Sequence, residues 1–216
     1  MTPPDPGAVL SMWAAGLGAA LALVASWKVV RPGFILLGTG AAASIGLLAA
    51  LAGAGWWAAI AAAISLLAIY LKISRWAAMP LAGAALLWLD AAHAEFTWPI
   101  AIAGALALGG ITAEMLLGHW YLVDPKLPRR SLKILAAIGA VGIAVDTGLV
   151  QVYAVESSVV SPAVLIGLGV TTAILMVGVW FSLRVPSYTG VMAATGLSYL
   201  ATLTALGAVV IGRTVI

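Results

Sequence analysis

The sequence predicts an all-α integral membrane protein, a compact bundle of about eight transmembrane helices, and three observations predict it. The chain is 64% hydrophobic and only 8% charged, with a mean hydropathy of +1.16. A soluble domain carries roughly 25% charged residues, so there is too little polar surface here to clothe a water-facing globule. The apolar runs recur at about the 20 residues that a spanning helix needs. Between them, basic residues collect in alternate connections, as topology signals do.

The first span is placed at about 8–27 and closes at Lys28. The segment before it, MTPPDPG, lacks the basic region that opens a secretory signal, so this apolar run is read as a retained helix. The second, 33–52, follows Arg31-Pro32 and ends at Gly53-Ala-Gly55. The third, 56–72, opens on Trp56-Trp57, and the fourth, 77–94, closes on the polar stretch Asp90-Ala-Ala-His93-Ala-Glu95. The fifth, 98–121, opens on Trp98-Pro99 and leaves through His119-Trp120-Tyr121. The sixth, 131–153, follows Arg129 and Arg130; the seventh and eighth are placed at 160–182 and 188–211. Prolines and charges make these cuts, because neither continues an apolar helix cheaply. The eight spans leave no room for a soluble domain, so residues 1–216 read as one polytopic transmembrane domain.

Orientation follows from the basic residues. Lys28 and Arg31 fall between the first two spans, Lys72 and Arg75 between the third and fourth, and Arg184 between the last two. Lys126, Arg129, Arg130 and Lys133 fall between the fifth and sixth. These loops belong on the cytoplasmic side of a cell (inner) membrane, which puts both termini outside. Arg213 alone lands on the other side. Most of the nine tryptophans then sit where interfacial aromatic belts are expected.

The chain contains 24 glycines, and small residues recur at helix spacing, as at Gly139 and Gly142. Membrane helices associate through such close backbone approaches, since lipid supplies no hydrophobic drive between them. Arg75 before Pro80 and Arg184 before Pro186 both precede the last span of a half, which raises a duplicated arrangement of four spans and four.

Ionisable residues inside spans are costly and are functional hypotheses by default. Glu114 falls seven to ten residues before the cytoplasmic end of the fifth span. Gly118 and Tyr121 share its helix face, whereas His119 is rotated by about 140°. Glu114, His119 and Tyr121 are therefore candidates for a cytoplasm-side pocket whose members face different neighbours. A quinone headgroup or a proton relay suits this inventory. Asp146 is the most isolated charge; it shares a face with Gly139 and Gly142, and it is expected to pair with His93, to bond a nearby Ser or Thr hydroxyl, or to stay protonated. With Glu114 it forms the candidate proton or ion pair of sites. At the outer end, Asp90 and His93 are three residues apart on one face and, with Glu95, could offer metal ligands, to which Glu156 and Asp146 could add carboxylates if their helices pack nearby.

Several chemistries are excluded. No cysteine means no disulfide, thiol redox centre or iron–sulfur ligation. His93 and His119 lie on opposite sides, about 30 Å apart, too far for a bis-histidine haem within one chain. No phosphate loop or nucleophile elbow is present, and the scattered basic residues do not form a nucleic-acid face. The expected partners are the bilayer and other membrane-complex subunits. The expected function is a small membrane-embedded subunit of an electron- or proton-transfer complex, without catalysis of its own. A small-solute or ion transporter using Asp146 and Glu114, or a membrane enzyme with an outer-face Asp90/His93 metal site, are the alternatives.

Overall fold

The computed structural model describes residues 5–71, 75–154 and 161–216; Lys72 and Glu156 lie outside them. The described chain is all-helical, with eight α-helices, six of them long and apolar enough to cross a membrane. Local sequence explains where each begins and ends. α1 (Pro6–Trp27) starts on Pro6, with the Asp5 carboxylate accepting from the Gly7 amide at 2.9 Å, and stops where Lys28 turns left-handed at φ 55°. Proline in the first turn and a side-chain N-cap together open a helix without leaving a buried amide bare.

α2 (Pro32–Ala49) also opens on proline, then widens into a five-residue π turn over Ala50–Ala54. Gly53 and Gly55, with φ of 117° and 81°, take backbone conformations that L side chains avoid, and α3 (Trp56–Tyr70) leaves from there. α4 (Ala78–His93) carries Pro80 in its first turn. α5 (Trp98–Val123) runs to Asp124-Pro125, and α6 (Arg129–Tyr153) follows that turn. α7 (Pro162–Ser182) is capped by Ser161, and α8 (Tyr188–Arg213) completes the bundle. Against the predicted spans, α3 and α4 have only 15 and 16 residues. At 1.5 Å per residue they are about 22–24 Å long, short of a ~30 Å hydrocarbon core.

The contacts arrange the helices as two rings. In one, α1 packs on α2, α2 on α3, α3 on α4 and α4 back on α1; in the other, α5 to α8 do the same. The rings meet chiefly through α1 and α5. The duplicated pattern that Arg75 and Arg184 hint at thus has a counterpart in the packing, one four-helix ring per half.

Glycine makes the central junction possible. A Cβ on Gly16 would strike the Ala105 carbonyl of α5, and one on Gly109 would strike the Gly16 backbone. Along α5 and α6, Gly110 meets Gly139 and Gly142 meets Ala107 in the same way. Trp88 departs from the expected interfacial role: it is fully buried and its indole donates to the Ala58 carbonyl at 3.0 Å. Trp13 likewise turns inward, donating to Thr112 Oγ1 at 2.9 Å across the α1–α5 junction.

Candidate functional site

The turn carrying Lys28 and Arg31, the 124–130 turn and the turn after Arg184 meet at one end of the bundle. There Arg31 pairs with Asp124 at 2.8 Å, tying the α1–α2 turn to the α5–α6 turn. Arg129 donates to the carbonyls of Val185, Pro186 and Ser187, the last two at 2.7 and 2.9 Å, tying the start of α6 to the turn before α8. Its guanidinium also lies 5.9 Å from the centre of the Tyr121 ring. Tyr121 is buried beneath it, in a structural cation–π contact.

Glu114 is fully buried in α5 and faces α8. The Ser198 hydroxyl is hydrogen-bonded to its Oε2, while Oε1 has no partner among the described residues. Ser198 also reaches the Ala194 carbonyl one turn back on its own helix, at 2.9 Å. Thr195 lines the same helix face and lies against Gly118, which stands one turn beyond Glu114. No basic side chain pairs with Glu114 among the described residues. His119, as its helical rotation requires, points elsewhere and is exposed. Of the three residues expected to share a pocket, the structure therefore leaves Glu114 inside the bundle, Tyr121 under Arg129 and His119 on the surface.

The second buried charge has a partner that the sequence reading assigned to topology. Arg213, at the last position of α8, is drawn into the bundle and is only 2% exposed. It grips Asp146 with both guanidinium nitrogens, Nη2 to Oδ1 at 2.5 Å and Nη1 to Oδ2 at 3.4 Å. Nη2 also donates to the Ile100 carbonyl at 3.1 Å and approaches Met12 Sδ at 3.4 Å, and the guanidinium lies 5.5 Å from the Phe96 ring centre. Gly104 leaves the room, since a Cβ there would meet both Met12 Sδ and Arg213 Nη2. Asp146 thus pairs with neither His93 nor a hydroxyl. The signal that could have found this is the coincidence of two exceptions: a lone buried acid about two turns inside the end of α6, and a lone basic residue at the end of α8 whose long side chain can reach back into the bundle.

Asp90 and Glu95 are exposed, and the His93 ring stacks on Trp98 with its Nδ1 3.0 Å from the Phe96 carbonyl. Among the described residues, no three His, Asp or Glu side chains gather closely enough to hold a metal ion.

The two buried acids are not joined. Ser198 and Arg213 are separated by 15 residues of α8, about 22 Å, and the inward positions between them are Ala201, Ala205, Ala208, Val209 and Gly212. The hydroxyls of α8 between them are engaged elsewhere: Thr202 donates to the Ser198 carbonyl at 2.9 Å, and Thr204 accepts from the buried Thr172 of α7 at 2.8 Å. Set against known proteins, the chain matches no family model, no curated protein and no solved structure.

Proposed function

We propose that the chain is a multi-pass protein of the cell membrane, with both termini on the non-cytoplasmic side, and that it serves as a membrane-embedded subunit exchanging protons at Glu114 for a larger electron- or proton-transfer partner. The low charge and the six long apolar helices support insertion, and the shorter α3 and α4 complete the first ring. Nine of the ten basic residues fall in alternate connections, the pattern of cytoplasmic loops. The tenth, Arg213, is held by Asp146 inside the bundle and no longer counts as an opposing loop charge.

One observation carries the proton reading: the hydrogen bonds around Ser198. Its hydroxyl has one proton, and two acceptors face it, Glu114 Oε2 and the Ala194 carbonyl. If that proton goes to Ala194, the Ser198–Glu114 contact needs a proton from the carboxyl. If it goes to Glu114, the carboxyl needs none. The pair thus has two hydrogen-bonded arrangements that differ by one proton on Glu114, which is what a proton-exchanging site requires. Asp146, gripped by an arginine, lacks that freedom, so the transporter reading that needed both acids is the weaker one. A quinone remains a candidate for the partner's chemistry, since a mobile carrier would deliver electrons and protons together.

The test is infrared difference spectroscopy on the protein purified with its native partners, across a pH titration. The expected result is a carboxyl C=O band that rises and falls with pH, is missing in Glu114→Gln and moves in Ser198→Ala. An unchanged spectrum in Glu114→Gln removes Glu114 from any proton chemistry. Isolation without larger partners, proton movement intact, overturns the subunit assignment.

A further inference from the structure

At the end of the bundle that carries the basic turns, a cleft of about 300 Å³ opens between the α1–α2 turn and the start of α6, lined by Trp27, Val29, Pro128, Arg130, Ser131 and Ile134. Three features make it suited to a phosphate. The first turn of α6 has no side-chain cap and no acidic residue; the Ser131 amide turns back to the Pro128 carbonyl at 3.1 Å, and the amides before it present the positive end of the helix dipole. Arg130 is exposed and makes no hydrogen bond or ion pair among the described residues, unlike its neighbour Arg129. Ser131, only 6% exposed, also lines the cleft, and its hydroxyl has no partner among those residues.

This cleft does not end at the basic turn. Ile134 also lines a second, almost wholly apolar groove of about 380 Å³, which continues along α6 past Ala137, Ile138 and Val141, flanked by Leu106 of α5 and Trp180 of α7. Residues 130, 134, 137, 138 and 141 fall on one face of α6. From Arg130 to Val141 is 11 residues, about 16 Å along the axis. One leaflet of a ~30 Å hydrocarbon core is about 15 Å deep, so the groove is as long as an acyl chain is in its own leaflet.

We infer that this face of α6 binds an anionic phospholipid, with its phosphate at Arg130, Ser131 and the α6 amides beside Trp27, and one acyl chain lying along the groove to Val141 and Trp180. The inference rests on membrane insertion but not on proton exchange at Glu114. Charge complementarity selects the headgroup: a negative phosphate meets a free guanidinium and a helix N-terminus, and no acidic side chain lines the cleft to repel it.

Delipidated protein in detergent is titrated with phosphatidylglycerol, or with phosphatidylcholine of the same chains, and read by native mass spectrometry. The expected outcome is one retained phosphatidylglycerol in preference to phosphatidylcholine. Arg130→Ala should weaken it about fivefold, the worth of one basic contact near a membrane surface. Ile138→Trp, which fills the groove without touching the headgroup end, should reduce retention of both lipids. Equal retention of the two lipids, unchanged affinity in either variant, or inorganic phosphate binding as tightly as the lipid would each overturn the assignment. Carbonate extraction of cell membranes tests the supporting premise separately. A protein that stays in the membrane but shows no selectivity loses only the lipid site, whereas one released by carbonate loses the membrane reading.

Discussion

Helices α1–α4 bury three polar side chains, Ser11, Thr39 and Ser65, none of them ionisable. Helices α5–α8 form a ring of the same kind and bury eight, among them Glu114, Asp146 and Arg213. The first ring shows that four helices can be held together without a buried charge, as where Trp88 fills the space between Gly18 and Gly46 and donates its indole N–H to the Ala58 carbonyl. Charges are therefore not the cost of making such a ring. Where they occur, in the second ring, they need another reason: the Asp146–Arg213 pair supplies a structural one, and the proton exchange proposed for Glu114 would supply a chemical one. The rings share an architecture and differ in what their interiors can do.

The largest effect expected from this contrast is at Asp146 and Arg213. Breaking a fully buried pair by removing one member leaves the other charge uncompensated, so Arg213→Met or Asp146→Leu alone should cost about 3–5 kcal/mol of stability. Replacing both together with apolar residues of similar volume should restore most of it. Thermal unfolding in detergent of the two single variants and the double variant decides the matter. If the double variant is as unstable as the sum of the singles, the pair is not acting as a unit, and the division of the second ring into a structural and a chemical site weakens.

Next comes the junction that both rings depend on. Gly109→Ala puts a Cβ into the Gly16 backbone, and backbone cannot swing away as a flexible side chain can. A loss of about 1–3 kcal/mol is expected from such overpacking. Gly83→Ala, inside α4 where a Cβ meets nothing within 4 Å, should be neutral or stabilising by up to about 1 kcal/mol. Equal melting temperatures for the two variants would mean that α1 and α5 are not held together by close backbone approach.

Much of the fold was legible in the sequence because prolines and charges punctuate it. Pro6, Pro32 and Pro162 open helices where the apolar runs begin, and Lys28, Asp124 and Arg184 follow their ends. The divergence of Glu114 from His119 was legible too, since helical rotation alone separates them. Arg213 was not, because placement by loop assigns a basic residue to a side of the membrane before asking whether it has left the loop. Ser198 carried no signal of its own among the many Ser and Thr of α8; only the packing of α8 on α5 selects it. The contrast between the rings was hidden for the same reason: composition reports how many hydroxyls a helix carries, not which of them face inward.

The smallest effect is the most discriminating, because one kind of substitution should act with opposite sign in the two rings. Ser11 Oγ and Thr39 Oγ1 are buried in the first ring with no hydrogen-bond partner among the described residues. Replacing them with apolar residues of similar shape, Ser11→Ala and Thr39→Val, removes an unsatisfied hydroxyl and should be neutral or stabilising by up to about 1 kcal/mol. Ser198→Ala instead takes away the one partner of the Glu114 carboxyl, leaving both its oxygens unpaired in the bundle interior. That loss should cost about 1–3 kcal/mol, the penalty of a buried acceptor left bare. Ser198→Thr keeps the hydroxyl and should recover most of it, which separates the hydrogen bond from mere packing on α8. Should all three hydroxyl deletions shift the melting temperature alike, the interior of the second ring would be no more specialised than that of the first, and Glu114 would be an acid tolerated rather than used.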